Sequence, residues 1–144
     1  MSRIEEVLSS FKEDFNCCQS IFGTYATHYG LDRDKALKIS TGFGGGMARS
    51  GRTCGAVTGA YMVIGLKNGM GLSKEIEAKK KTYQLISEFS NKFQEIHGSL
   101  ICKELLGCDI NTPEGMDYFN QNALSEKKCF HCVKNAAEIL EEML

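Results

Sequence analysis

Apolar residues recur along most of the chain at intervals of three and four positions, the spacing of one face of an α-helix. The longest such segment carries its apolar stripe at Ile86, Phe89, Phe93 and Ile96. Residues of opposite charge stand four positions apart on its other faces, as in Glu88 and Lys92. We predict one long helix that begins at Ser73, reaches about His97 and is ended by Gly98.

Residues that cap helices divide the remaining chain into shorter helices. Their side chains accept hydrogen bonds from the unpaired N–H groups of a first helical turn. Predicted starts of this kind are at Ser2, Asn16, Asp32, Ser99, Thr112 and Ser125. A helix of small residues is predicted over residues 54–67, after a glycine-rich loop at 41–53, and the only strand-like run is 38–43. The pattern therefore predicts an all-α bundle of about six or seven helices in one domain, residues 1–144.

Length and charge narrow the class of protein. A chain of 144 residues and 15.9 kDa fits a single domain. Its 17 basic and 18 acidic side chains nearly cancel, which excludes the net positive surface expected of a nucleic-acid-binding protein. The longest uncharged stretch, residues 54–66, is shorter than the roughly 20 apolar residues that cross a membrane. The N-terminus shows no secretory signal, so we expect a soluble cytoplasmic protein.

Seven cysteines and a single proline are the unusual features of the composition. The number of cysteines is odd and no export signal accompanies them, so a framework of structural disulfides is not expected. In a reducing compartment such thiols more often bind metal or take part in redox chemistry. Cys129 and Cys132 have the CxxC spacing, but one such pair is a weak zinc signal, and a thioredoxin-like site would need a βαβ context.

Five cysteines fall in or at the edge of a predicted first helical turn: Cys17, Cys18, Cys54, Cys102 and Cys129. The free N–H groups and the helix dipole at such positions stabilise a thiolate and lower the pKa of the thiol. Arg49 and Arg52, just before Cys54, should act in the same direction. Each thiol alone is also compatible with plain packing as a small apolar group. Cys18, Cys108 and Cys132 fit packing or a secondary role best, and they could widen a ligand set or supply a resolving thiol.

The glycine-rich loop allows a different interpretation. Residues 46–53 match the phosphate-binding pattern GxxxxGK[ST], except that an arginine replaces the lysine. Candidate residues for holding a phosphate or nucleotide are Gly44, Gly45, Gly46, Arg49 and Arg52. Alternatively, the glycines let the loop pass close to a neighbouring backbone around Cys54. In the following helix, Gly55 and Gly59 predict a close helix–helix contact, inside the domain or across a homodimer.

Four short motifs resemble those of one protein family. They are FNC at 15–17, CGAVTG at 54–59, HGSLIC at 97–102 and CFHC at 129–132. Over almost its whole length the chain is similar to the redox-active proteins known by the C_GCAxxG_C_C pattern. The resemblance implies four shared cysteines, at Cys17, Cys54, Cys102 and Cys129, but no substrate or redox partner. A similar domain in split-Soret-type cytochromes implies an iron–sulfur role.

Three hypotheses about function follow, and the four shared cysteines are the candidate catalytic residues and metal ligands. They could hold an iron–sulfur cluster or another thiolate-bound metal, in an electron carrier or sensor. Alternatively, Cys54 could be an activated thiol that another cysteine resolves to a disulfide. The third hypothesis is a structural or interaction module with inert, buried thiols. The first two require that distant cysteines meet in one pocket.

Overall fold

The computed structural model describes all residues, 1–144, and contains eight α-helices and no strand. In chain order they are α1 (Arg3–Lys12), α2 (Cys17–His28), α3 (Arg33–Ser40), α4 (Gly55–Asn68), α5 (Ile76–His97), α6 (Cys102–Leu106), α7 (Pro113–Gln121) and α8 (Phe130–Met143). A 3₁₀ turn, Thr41–Phe43, follows α3, and a π-helical turn, Ser125–Cys129, leads directly into α8. The predicted all-α single domain is confirmed, with more helices than expected. None of the helices has the length and apolar content needed to span a membrane.

Side-chain caps start four helices where the sequence predicted them. Ser2, Asn16, Asp32 and Thr112 each accept a hydrogen bond from the N–H three residues further along, at 3.1, 2.9, 3.0 and 3.0 Å. In α7, Pro113 also occupies the first helical position, where a missing N–H costs nothing. These starts depend only on contacts within one helical turn, which explains why the sequence reveals them.

Three helix starts predicted at serines, Ser73, Ser99 and Ser125, are wrong. The strand-like run at 38–43 is also wrong, because it lies in α3 and the 3₁₀ turn. Ser73 instead donates to the Glu75 carboxylate at 3.1 Å, and α5 begins three residues after it. Ser99 accepts a hydrogen bond from the N–H of Ile101 in a turn, at 3.0 Å, and α6 begins three residues after it. Ser125 caps nothing because it lies within the continuous helical run from the π turn into α8.

The main core is formed by α2, α4 and α8, with α1 and α5 packed around them. Its largest fully buried side chains are Tyr25, Phe89 and Phe93. The Tyr25 hydroxyl donates to the Glu141 carboxylate at 2.7 Å, so the polar end of this ring is satisfied. A second, smaller apolar cluster consists of Cys102, Leu106, Ile110 and Leu124. The chain therefore has two apolar centres of unequal size.

Helices α2 and α4 make a close contact because two glycines of α4 face α2. A Cβ atom on Gly59 would lie 3.1 Å from the carbonyl oxygen of Cys18 and 3.1 Å from Cβ of Ile21. A Cβ atom on Gly55 would lie 3.1 Å from the backbone nitrogen of Cys18. The predicted close helix–helix contact is therefore present within the domain.

This contact predicts opposite effects of alanine at two glycines of α4. Gly65 faces open space, so Gly65→Ala should raise the free energy of unfolding by about 0.5–1 kcal/mol through its better helix propensity. Gly59→Ala makes the same local gain but must push α2 away, so we expect it to be about 1–3 kcal/mol less stable than Gly65→Ala. Urea denaturation followed by circular dichroism measures both, and equal stabilities would contradict the close contact.

Candidate functional site

Five cysteines line one cavity of about 890 Å³, whose walls include residues of both apolar clusters. Cys17 comes from the start of α2, Cys54 precedes α4, Cys102 starts α6 and Cys129 ends the π turn. The fifth, Cys132, lies in the first turn of α8. The fold thus gathers around one cavity all four cysteines that the sequence motifs single out, together with one that they do not.

Backbone pairing between the glycine-rich loop and the start of α6 sets two of these cysteines side by side. The N–H of Cys54 donates to the Leu100 carbonyl at 2.8 Å, and the N–H of Cys102 donates to the Arg52 carbonyl at 2.6 Å. Between these bonds, Thr53 and Ile101 form an isolated antiparallel bridge. This short two-stranded contact fixes the backbones that carry both sulfurs.

The glycine-rich loop folds tightly against this bridge. A Cβ atom on Gly46 would lie 2.6 Å from the nitrogen of Arg52 and 2.7 Å from Cβ of Cys102, so only glycine fits there. Residues 45–49 all have φ between 53° and 69°, although three of them are not glycine. The left-handed region costs each non-glycine residue roughly 1–2 kcal/mol. The glycine at 46 therefore serves a close backbone approach, one of the two roles the sequence allowed.

The same folding leaves little of the loop for a phosphate. Six consecutive N–H groups, those of residues 47–52, all donate to backbone carbonyls within residues 42–47. Of the five phosphate-site candidates, Gly44, Gly45 and Arg49 line the cavity, whereas Gly46 and Arg52 do not. A phosphate cradle depends on free backbone donors, and these six are already used.

The surroundings of Cys54 favour the thiolate. Its sulfur interacts first with the Cys132 thiol and then with the backbone N–H groups of Ala56 and Val57 at the start of α4. Together they lower the pKa of Cys54 below its ordinary value, although burial opposes the shift. The expected contribution of two nearby arginines is wrong, because the groups that lower this pKa are the Cys132 thiol and the two amides.

The expectation that a helix start lowers the thiol pKa is wrong for three other cysteines. Interaction with the Cys129 thiol, together with burial, raises the pKa of Cys17. Burial, and then the charge of Cys54, raises the pKa of Cys102 to about 12. Burial also raises the pKa of Cys18 to about 12. At Cys18 and Cys102 the cost of removing the thiolate from water outweighs the helix dipole, and at Cys17 the interaction with Cys129 adds to this cost.

Cys129 does not lie at a free helix end. It is the last residue of the π turn, and the N–H of Phe130 after it already donates to the carbonyl of Ser125. The predicted place at the edge of a first helical turn is correct for α8, but the π turn before it leaves no free N–H groups there for the sulfur. Cys129 does line the cavity.

The two remaining cysteines, Cys18 and Cys108, pack in different parts of the domain. Cys18 is fully buried in the core and accepts a hydrogen bond from the Thr58 hydroxyl at 3.8 Å. Cys108 packs against the small cluster. Neither lines the cavity. Of the two adjacent thiols Cys17 and Cys18, the cavity therefore receives Cys17.

Cys132 is the cavity residue to which the sequence assigned only a packing or secondary role. The residue is 5% exposed and lines the cavity, and its interaction with Cys54 together with burial raises its pKa. The available signal was its spacing from Cys129, since residues three apart share a helix face. No three His, Cys, Asp or Glu side chains lie close enough together to hold a single metal ion.

Removing Cys132 should deactivate Cys54. A hydrogen bond to a charged group contributes about 1.5–3 kcal/mol, so Cys132→Ala should raise the pKa of Cys54 by roughly one unit or more and slow its alkylation at pH 7. The measurement is the pH dependence of iodoacetamide labelling at Cys54, located by mass spectrometry. Cys108→Ala removes a thiol outside the cavity and should leave the midpoint unchanged. An unchanged midpoint in Cys132→Ala would contradict the interaction between Cys132 and Cys54.

Comparison with known proteins gives one match. Residues 15–143 match the family model described as "Putative redox-active protein (C_GCAxxG_C_C)". No curated protein and no solved structure is similar enough to the chain to count as a match. The matched segment contains every cysteine that lines the cavity. The chain therefore belongs to the C_GCAxxG_C_C family of redox-active proteins.

Proposed function

We propose that the chain is a dithiol–disulfide redox protein in which Cys54 is the nucleophile and Cys132 the resolving thiol. The observation that carries the proposal is that these two buried thiols line the same cavity and interact there, which lowers the pKa of Cys54 and raises that of Cys132. An attacking thiol needs thiolate character and access, whereas a resolving thiol must stay within reach. Cys54 and Cys132 meet these separate requirements.

The first step is attack on a disulfide. The N–H groups of Ala56 and Val57 and the Cys132 thiol stabilise the Cys54 thiolate, which attacks one sulfur of the substrate. A mixed disulfide forms at Cys54, and one half of the substrate leaves as a thiolate. The sulfur–sulfur bond of the substrate breaks as the new one forms, so no external oxidant is needed.

The second step is resolution by Cys132. Once Cys54 carries a substituent, it no longer holds the negative charge that kept the Cys132 proton in place. Cys132 loses this proton to the departing thiolate or to water and attacks the Cys54 sulfur. The products are a Cys54–Cys132 disulfide and a second substrate thiol. In total the protein gives up two electrons and two protons, and one disulfide becomes two thiols.

The proposal predicts where oxidation stops in variants. Wild-type protein, reduced and then treated with 2-hydroxyethyl disulfide, should lose two thiols and form a Cys54–Cys132 disulfide visible by peptide mapping. Cys132→Ser should stop at a mixed disulfide on Cys54, and Cys54→Ser should form neither product. Cys108→Ser is the matched control and should behave as wild type. A disulfide that excludes Cys54 in the wild type would overturn the assignment.

An iron–sulfur cluster is a second candidate, favoured by the thiols that line the cavity. Cys17, Cys54, Cys102 and Cys129 bring four thiols from four separate segments, the number and type of ligand that iron–sulfur clusters use. These four residues would hold the group, and a bound cluster would supply one-electron transfer. The chain itself would contribute burial and the bridge that fixes Cys54 beside Cys102.

Anaerobic purification separates the two candidates. Under the dithiol proposal we expect a colourless protein without stoichiometric iron, zinc or sulfide and with all seven thiols titratable after unfolding. Visible absorbance with stoichiometric iron and sulfide would instead favour the cluster. In that case Cys17→Ser should remove the colour, whereas Cys18→Ser, its neighbour outside the cavity, should keep it.

A further inference from the structure

The cavity has a buried sulfur floor and a polar mouth. Cys54, Cys102 and Cys132 are only 5%, 7% and 5% exposed. Asp14 and Arg49 line the same cavity but are solvent-exposed, so they lie where it opens to water. A substrate that enters the cavity from water therefore meets charged side chains only at these two residues.

The depth of the sulfurs selects small substrates. The cavity volume of about 890 Å³ falls in the range of small-molecule sites, roughly 300–1,000 Å³. A disulfide fixed in the surface of a folded protein has poor access to a residue that is 5% exposed. A free disulfide of low molecular mass can enter.

The two charges at the mouth are unmatched within the protein. Asp14 and Arg49 are the only charged residues among those that line the cavity. Neither takes part in any ion pair of the chain. Both also stand at left-handed backbone positions, with φ of 70° and 66°, so tight turns fix where their side chains start. One carboxylate and one guanidinium together complement a ligand that carries an ammonium and a carboxylate.

We propose that the substrate is a small zwitterionic disulfide of the α-amino-acid type, held by Arg49 at its carboxylate and by Asp14 at its ammonium group. The proposal rests on the dithiol function assigned to Cys54 and Cys132. The reaction balances as before: the substrate disulfide is reduced to two amino-acid thiols, and the protein dithiol is oxidised to one disulfide.

Three disulfides of nearly the same skeleton test this recognition. Cystine carries both charges, 3,3′-dithiodipropionate lacks the ammonium group and cystamine lacks the carboxylate. The measured quantity is the rate of Cys54–Cys132 disulfide formation in each variant divided by that in wild type. This ratio cancels the intrinsic reactivity of each disulfide.

Arg49→Gln should slow the reaction of cystine and dithiodipropionate about three- to five-fold and spare cystamine, because only the first two offer a carboxylate. Asp14→Asn should slow cystine and cystamine to a similar extent and spare dithiodipropionate. Asparagine tolerates the left-handed backbone at position 14, so this variant should keep the fold. The matched controls are Arg52→Gln and Glu13→Gln, which change the same charges on neighbouring residues outside the cavity lining and should alter no ratio.

Two negative outcomes are distinguishable. If none of the three disulfides oxidises Cys54 and Cys132 in wild type, the dithiol function itself fails. If all three oxidise the pair but Arg49→Gln and Asp14→Asn change the three rates equally, the dithiol function stands and the zwitterionic substrate is rejected.

Discussion

The site depends on the short backbone bridge between the glycine-rich loop and the start of α6. Helix α6 has only five residues, too few to be stable alone, so its position is set by what it pairs with. The hydrogen bonds from Cys54 to Leu100 and from Cys102 to Arg52 supply that pairing. The loop can approach closely enough because Gly46 has no side chain. Without this bridge, Cys102 would be held near Cys54 only by the packing of the small apolar cluster.

The buried cysteines that line the cavity stabilise one thiolate at a time. Each additional negative charge meets both the cost of leaving water and the repulsion of the charge already present. Cys54 is favoured because it combines backbone donors at the start of α4 with a thiol donor from α8. Interaction with another cysteine and burial raise the pKa of both Cys17 and Cys132, which favours their protonated forms. Position at a helix start is therefore not sufficient to activate a thiol.

Sequence predicted the parts of the structure that local contacts decide. Asn16 and Thr112 were identifiable because each cap is complete within three residues. Ser99 has the same capping hydroxyl, but it accepts a hydrogen bond from the N–H of Ile101 in a turn. Ile101 is held in the bridge, so α6 begins only after it. The family motifs identified four cavity cysteines, whereas the contact between Cys132 and Cys54 joins opposite halves of the chain and leaves no local trace. Likewise, nothing near Arg49 in sequence reveals that Asp14 shares its cavity.

The π turn before α8 lets one continuous helical run serve two apolar centres. Leu124, just ahead of the turn, packs in the small cluster, while Val133 and Ala136 beyond it pack in the main core. Because a π turn is wider than an α-helical turn, the apolar face before it points in a different direction from the apolar face of α8. Residues 126–128 within it are exposed, so their identity is free to vary. The length of this segment is constrained, because gaining or losing one residue would move the side chains of one cluster out of alignment.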